Sequence, residues 1–284
     1  MKNIFIISNE FKDQTFAIAK KLCEVLSNEG CGCEFSGLTA FRSNNADSQG
    51  QAKTIPSNVD LCIVLGGDGT LLEAAGFLPH DRIPVFGINI GTLGYLTEVG
   101  ADAAIPAVLQ ILSGDYITEE RMMIKGLVSK KDEDFVMTAV NDIVLARYGS
   151  IDNIQINVRV NESQLCAYRA DGVILSTPTG STADNMSAGG PIAIPTSKLI
   201  LMTPVAPHNL TSRSIVFSAE DRIELTFLDR STDKEKTAEV SFDGNKNIQL
   251  LPGESLTVTR SERVLKIIRL KNTSFMETLH QKLI

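Results

Sequence analysis

A chain of 284 residues has room for one large domain or two of ordinary size, and 43% hydrophobic against 21% charged residues is the balance of a soluble globular protein. No apolar run is long enough to cross a bilayer, and the opening MKNIFIISNEFKDQ has too short an apolar stretch for a secretion signal, so a cytoplasmic protein with no membrane partner is expected. The net charge of −7 argues against a nucleic-acid partner and leaves any bound anion to local dipoles and backbone amides.

In chain order, residues 3–8 (NIFIIS) have the apolar, β-rich character of a buried strand, and 14–26 (QTFAIAKKLCEVL) the spacing of an amphipathic helix. Residues 43–53 (SNNADSQGQAK) hold almost nothing apolar and read as a mobile surface loop of the kind that covers active sites. A second strand and helix, VDLCIVL at 59–65 and TLLEAAGFL at 70–78, are followed by IPVFGIN at 83–89 and a helical pattern ending at Gly114. This alternation predicts an α/β layer on a parallel sheet. From about Arg121 the period drops to two, as in NIQINVRV (153–160) and DRIELTF (221–227), which predicts a mostly β second region. Helical spacing returns after Arg269 in SFMETLHQKL, a closing helix expected to pack back on the first domain. The expected domains are 1–117 and 118–262, with a carboxyl-terminal segment 263–284.

The cysteines, Cys23, Cys31, Cys33, Cys62 and Cys166, give one CxC spacing without a second pair, and His80, His208 and His280 are scattered. No metal site is expected from them, and the cysteines read as structural thiols.

Between the second strand and its helix stands Gly66-Gly67-Asp68-Gly69-Thr70. Glycines there can take positive φ and let amide groups approach a phosphate with no Cβ in the way, and a helix starting at Thr70 adds the positive end of its dipole. The pattern is neither GxxxxGK[ST] nor GxGxxG, and no lysine stands in it to meet phosphates. A carboxylate so placed is costly unless it accepts a proton or helps hold a metal. The other reading is that Asp68 caps the helix behind it. Further on, 168–191 (YRADGVILSTPTGSTADNMSAGGP) leaves a strand and enters a run of hydroxyls, small residues and glycines suited to a polyhydroxylated ligand.

GGDGT, the NIGTLGYLT of 89–97, the AVNDIVLAR of 139–147, DGVILSTPTGSTA followed by SAGGPI, and the SFDGN of 241–245 occur in this order over nearly the whole chain, and together they resemble the NAD kinase family. The resemblance implies a Rossmann-like amino-terminal α/β domain and a β-sandwich-like carboxyl-terminal domain. It implies transfer of the γ-phosphoryl group of ATP to the 2′-hydroxyl of the adenosine ribose of NAD, giving NADP, with Mg²⁺ or another divalent cation accompanying the ATP, in a homodimer or homotetramer. By the same resemblance Asp68 is the general base, and Gly66, Gly67, Gly69 and Thr70 form the phosphate-side loop. Asn141 and Asp142 match the pair that holds the adenosine ribose, and Tyr95 falls where an aromatic borders the adenine. Asp171 matches the carboxylate near the nicotinamide end, with Arg169 before it. Thr182, Ala183, Asp184, Asn185, Met186 and Ser187 match the segment that wraps the dinucleotide, and Asp152 and Asn245 fall at further contact positions.

The chemistry is coherent from below, since a carboxylate within hydrogen-bond reach of a ribose hydroxyl can accept its proton as the bond to phosphorus forms. Four positions depart from the family's commoner pattern: Asp184 stands for tyrosine, Asp142 for glutamate, Thr92 for arginine or histidine, and Asp152 for a residue that is often basic. An added carboxylate beside an anionic ligand is expected to weaken binding rather than change the reaction. A lipid or sugar kinase sharing GGDGT is the rival enzyme, and SAGGPI counts against it. A catalytically idle NAD(P)-binding sensor is the rival of another class, and the presence of Asp68, Asn141 and Asp171 counts against that.

Overall fold

The computed structural model describes residues 1–42, 53–79, 82–91, 94–149, 152–209, 211–228, 237–270 and 274–283. The expected surface loop of 43–53, apart from Lys53, lies outside the described residues, as do His80 and Thr92. The chain divides into two compact units, Met1–Glu120 with Leu265–Ile284, and Arg121–Val264.

In the first unit β1 (Asn3–Ser8), α1 (Ala17–Asn28), β2 (Gly32–Gly37), β3 (Leu61–Gly66), α2 (Asp68–Phe77) and β4 (Val85–Asn89) follow one another. The strands form a parallel sheet in the order β2-β1-β3-β4, with the short β5 (Val99–Gly100) pairing on β4. β3 and β4 are buried along their whole length, which is why LCIVL is a continuous apolar run and not an alternating one. The connection through α1 leads to one side of β1, and β3 and α2 lead to the other. The strand order therefore reverses between β1 and β3. In open α/β sheets the carboxyl ends of the strands at such a reversal are where ligands bind. Leu22 and Leu26 of α1 pack with Ala107, Val108 and Ile111 of α3 (Ala104–Leu112) against Ile4, Ile6 and Ile63 of the sheet.

Two helix starts differ from the sequence pattern. α1 begins at Ala17 rather than near Gln14, because the buried Asp13 accepts N–H groups from Ile18 and Ala19, both at 3.3 Å, and a hydroxyl from Ser8 at 3.2 Å. α2 begins at Asp68, two residues before Thr70.

The expectation of free structural thiols needs correction at one pair. Cys23 of α1 and Cys33 of β2 are joined in a disulfide, their Cα atoms 5.3 Å apart, while Cys31, Cys62 and Cys166 are free. The CxC spacing pointed to Cys31 and Cys33, but α1 lies along β2, so residues ten apart in sequence face one another.

The second unit is built from strands. β6 (Ile117–Ser129) enters it and forms a hairpin with β7 (Asp134–Ala139), followed by β8 (Asp142–Tyr148), β9 (Ile154–Val160), β10 (Ser163–Ala170) and β11 (Gly172–Ser176). After the short α4 (Asp184–Ser187) come β12 (Leu199–Val205), β13 (Ile215–Ser218), β14 (Ile223–Leu228), β15 (Thr237–Phe242), β16 (Lys246–Leu250) and β17 (Ser255–Arg269). A six-stranded antiparallel sheet has the order β13-β12-β11-β8-β15-β16, and β10, β9, β14 and the start of β17 form a second antiparallel set. Inward residues of the first, Ile143, Leu145, Val173 and Leu175, share one core with Ile156, Val158, Leu225 and Phe227 of the other. β17 leaves the second unit at Val264. In the first unit its Ile267 pairs in parallel with Val85 of β4, and α5 (Phe275–Leu283) follows.

Candidate active site

Three loops of the first unit leave the carboxyl ends of adjacent strands β1, β3 and β4. Gly66 closes β3, and a Cβ there would stand 2.4 Å from Thr70 Oγ1, so only glycine lets Thr70 fold back over the turn. Thr70 Oγ1 accepts a hydrogen bond from Asn9 Nδ2 at 3.0 Å, which ties the loop after β1 to the loop after β3. The first N–H groups of α2, at Asp68, Gly69 and Thr70, belong to the helix turn that lacks intrahelical partners, the kind of turn that can receive an anion.

Asp68 does not cap α2. Gly67 holds the N-cap position and no side chain bonds the first amides. The carboxylate turns instead toward the loop after β4. Oδ2 accepts the Tyr95 N–H at 2.6 Å, and Oδ1 accepts the N–H groups of Leu96 and Thr97, each at 3.1 Å, and the Thr97 hydroxyl at 3.2 Å. The approach is so close that a Cβ on Gly94 would lie 1.8 Å from Oδ1. Among the described residues Oδ2 has one donor against three on its neighbour, which leaves it the more room for an incoming proton.

This loop is braced from behind by β17. Arg269 Nη1 donates to the buried Glu98 at 2.5 Å, and Nη2 donates to the Tyr95 carbonyl at 2.9 Å. The Tyr95 ring, expected beside the adenine, is packed by α5: the Phe275 ring centroid is 6.3 Å away and Lys282 Nζ lies 5.0 Å over the ring.

The glycine turn has no lysine of its own, but the fold brings one beside it from another loop. Lys12, in the loop after β1, has its Nζ 3.3 Å from where a Cβ on Gly67 would stand and 3.7 Å from the same point on Gly91. No local motif marks Lys12. Only the adjacency of β1 and β3 brings it there.

In the second unit Asn141 and Asp142 stand at the start of β8, and their backbone is pinned by Asp243, a residue the sequence reading passed over in favour of Asn245. The Asp243 carboxylate accepts the N–H groups of Val140 and Asn141 at 2.8 Å and of Asp142 at 3.1 Å. From the other side the Asn141 carbonyl accepts the Thr177 N–H at 2.8 Å, and Gly180 packs so tightly that a Cβ there would sit 2.2 Å from that carbonyl oxygen. The side chain of Asn141 is thereby aimed by its backbone, and its Oδ1 is buried with no hydrogen-bond partner among the described residues. A buried acceptor left open is costly, and a ligand hydroxyl is what such an atom can receive.

Asp142 is 3% exposed. Burial, with Asp184 and then Asp243 adding their charges, pushes its carboxyl up to about 8. Burial also raises that of Asp243, against the three amides that favour its ionised form. At neutral pH Asp142 therefore carries a proton and can donate as well as accept.

Asp171 pairs with Arg147: Arg147 Nε lies 2.9 Å from Asp171 Oδ1, which also accepts Asn153 Nδ2 at 3.1 Å. Arg169 is exposed on β10. Within 182–187, Thr182, Ala183 and Met186 are half-buried and Asp184 and Ser187 are exposed. Asn185 is fully buried, donating to the Ser181 and Pro191 carbonyls at 3.0 Å and accepting from Thr203 Oγ1 at 2.7 Å. Its amide is used up in shaping the loop. Asp152 and Asn245 are exposed, and Asn245 Nδ2 turns back to the Asp243 carbonyl at 3.0 Å.

Comparison with known proteins bears on both units. Residues 4–116 match the model of the ATP-NAD kinase N-terminal domain, and residues 140–270 that of the ATP-NAD kinase C-terminal domain. The chain is 39% identical to the NAD kinase of Agathobacter rectalis over 283 residues, covering 100% of this chain and 99% of the relative. It is 38% identical to the NAD kinase of Lachnospira eligens, with both chains covered in full. Among solved structures, yeast NADH kinase complexed with NADH superposes with a TM-score of 0.85 at 22% identity, covering 100% of this chain and 87% of that one. An NAD kinase from Archaeoglobus fulgidus in complex with ATP gives 0.76 at 24%, covering 99% and 98%. Those two likenesses speak for the fold, and the family models and close relatives go further: this chain belongs to the ATP-NAD kinase family.

Proposed function

We propose that the chain is an ATP-dependent NAD kinase, which moves the γ-phosphoryl group of ATP to the 2′-hydroxyl of the adenosine ribose of NAD and so makes NADP. The observation that carries this reading is the Asp68 carboxylate, fixed by three backbone amides beside a glycine turn, with Oδ2 left able to take a proton. In the reaction the ribose oxygen bonds to the γ-phosphorus, the bond from that phosphorus to the bridging oxygen breaks, and the hydroxyl proton passes to Asp68. Asn141 and Asp142 hold ribose hydroxyls, the first through its open Oδ1 and the second as a protonated donor. The amides of Asp68, Gly69 and Thr70 receive phosphate oxygens.

Among the described residues no group of three or more His, Cys, Asp or Glu is placed to hold a metal ion. Mg²⁺ as a rule keeps several of its waters and comes to such sites on the phosphates of its nucleotide. When bound, the ion neutralises charge on the transferring group. No described helix is long and apolar enough to cross a membrane. The reading includes a cytoplasmic homodimer or homotetramer, as the sequence led us to expect. Incubating the purified chain with NAD, ATP and Mg²⁺ and following NADP with an NADP-specific dehydrogenase tests the activity directly. NADP formed in proportion to enzyme supports it, and NAD binding without NADP would leave an idle sensor.

A further inference from the structure

We propose that Lys12 binds the terminal phosphates of the phosphoryl donor, supplying the cation that the glycine turn itself lacks. The proposal rests on the kinase reading above and concerns the first unit alone. In that unit the strand order reverses between β1 and β3, so the loops after these two strands flank the crevice where an open parallel sheet takes its ligands. Lys12 belongs to the first loop and the glycine turn to the second. Its Nζ stands 3.3 Å from the point a Cβ on Gly67 would occupy, a tight approach that the glycine relieves, and 3.7 Å from that on Gly91, an ordinary contact.

The loop that carries Lys12 is built to stay where it is. Asn9 bonds Thr70 through its side chain and the Leu65 carbonyl through its N–H at 2.9 Å, and it accepts the Lys12 N–H on its own carbonyl at 3.0 Å. Glu10 accepts the Thr39 N–H at 3.1 Å, and the buried Asp13 holds the start of α1. Among the described residues no carboxylate forms an ion pair with Lys12. Lys12 is exposed, its backbone fixed by the loop, and its ammonium lies beside helix amides that have no partner among the described residues; that pairing matches an anion of high charge, and the polyphosphate chain of ATP is such an anion. Lys12 forms no covalent bond. It donates hydrogen bonds to phosphate oxygens, and offsets the charge that collects on the leaving diphosphate as the ribose oxygen displaces it.

Lys12→Gln keeps the side chain's polarity and removes its charge. The variant is expected to raise the KM for ATP roughly 10–100-fold, the scale of a lost charge-assisted hydrogen bond, while the KM for NAD stays within about twofold. Lys12→Arg should recover part of the loss, and Lys20→Gln, on the exposed face of α1, should change neither constant. Calorimetry with ATP alone, on folded protein of unchanged melting temperature, separates this proposal from the kinase reading. If wild type makes no NADP, the kinase reading fails, yet weaker ATP binding by Lys12→Gln would still support Lys12 as the phosphate contact. If wild type makes NADP and Lys12→Gln binds ATP as tightly as wild type, Lys12 is not that contact.

Discussion

Each unit holds a carboxylate that accepts three successive main-chain N–H groups, and the two use it in opposite senses. In the first, the amides of Tyr95, Leu96 and Thr97 aim Asp68, the group assigned to the chemistry. In the second, Asp243 fixes the amides of Val140, Asn141 and Asp142, and what is aimed is the pair of side chains that this backbone carries. The same local physics, satisfaction of buried donors by one anion, thus orients either the anion or the chain around it. Which of the two is functional cannot be read from the bonds themselves. What distinguishes the two is the partner with an atom to spare among the described residues: Asp68 Oδ2 with a single donor, or Asn141 Oδ1 with none.

The strongest test of this contrast is Asp68→Asn, expected to lower kcat by roughly 10²–10⁴ while NAD binding persists. One oxygen is replaced by an NH₂ that faces donors, so the melting temperature should fall as well. Retained kcat in a destabilised protein would make Asp68 an anchor for 94–97, and the two carboxylates would then act in the same sense. Asp243→Asn should behave differently. We expect a loss of about 1–3 kcal/mol in stability as amides lose their acceptor, with the KM for NAD raised more than that for ATP. A drop in kcat with both KM values unchanged would contradict the scaffold role.

The contrast also has a pH signature. Asp142 is held at about 8, so the folded chain keeps a proton that the unfolded chain releases near 3.8, the ordinary value of an aspartate. Stability therefore falls as pH rises from about 4 to about 8 and levels off above that. Asp142→Asn, neutral throughout, should lose much of this decline, and its melting temperature should gain on wild type across that window. Parallel melting curves for the two proteins from pH 5 to 9 would refute the assignment. Asp184→Tyr carries the smallest expected effect. If the exposed Asp184 faces the ligand, tyrosine should tighten NAD binding by roughly 0.5–1.5 kcal/mol, an advantage that shrinks as salt rises. Weaker binding by the tyrosine variant would instead mark Asp184 as a ligand contact.

Much of the fold was legible because its signals are local. The buried run LCIVL, the helical spacing of TLLEAAGFL and the alternation of NIQINVRV each follow from the faces those segments bury. GGDGT was legible for the same reason, since Gly66 and its neighbours serve a turn within one loop. Lys12, Arg147 and Asp243 were not, because each reaches its place through strand pairing between distant segments. The Cys23–Cys33 pair was missed likewise: the spacing that caught the eye was along the strand, and the pairing runs from strand to helix. Asn185 shows the converse. The resemblance puts it in the segment that wraps the dinucleotide, and three hydrogen bonds within the protein, invisible in the motif, occupy its side-chain amide.

A methyl group at position 94 would stand within the Asp68 carboxylate, so the two positions cannot drift independently. Any descendant that acquires a side chain at 94 must first have let the carboxylate go, whereas one that has lost Asp68 is free to vary at 94. Substitution there runs in one direction, like a ratchet. A glycine still found at 94 in a distant descendant would be the trace of a carboxylate that never stopped being needed.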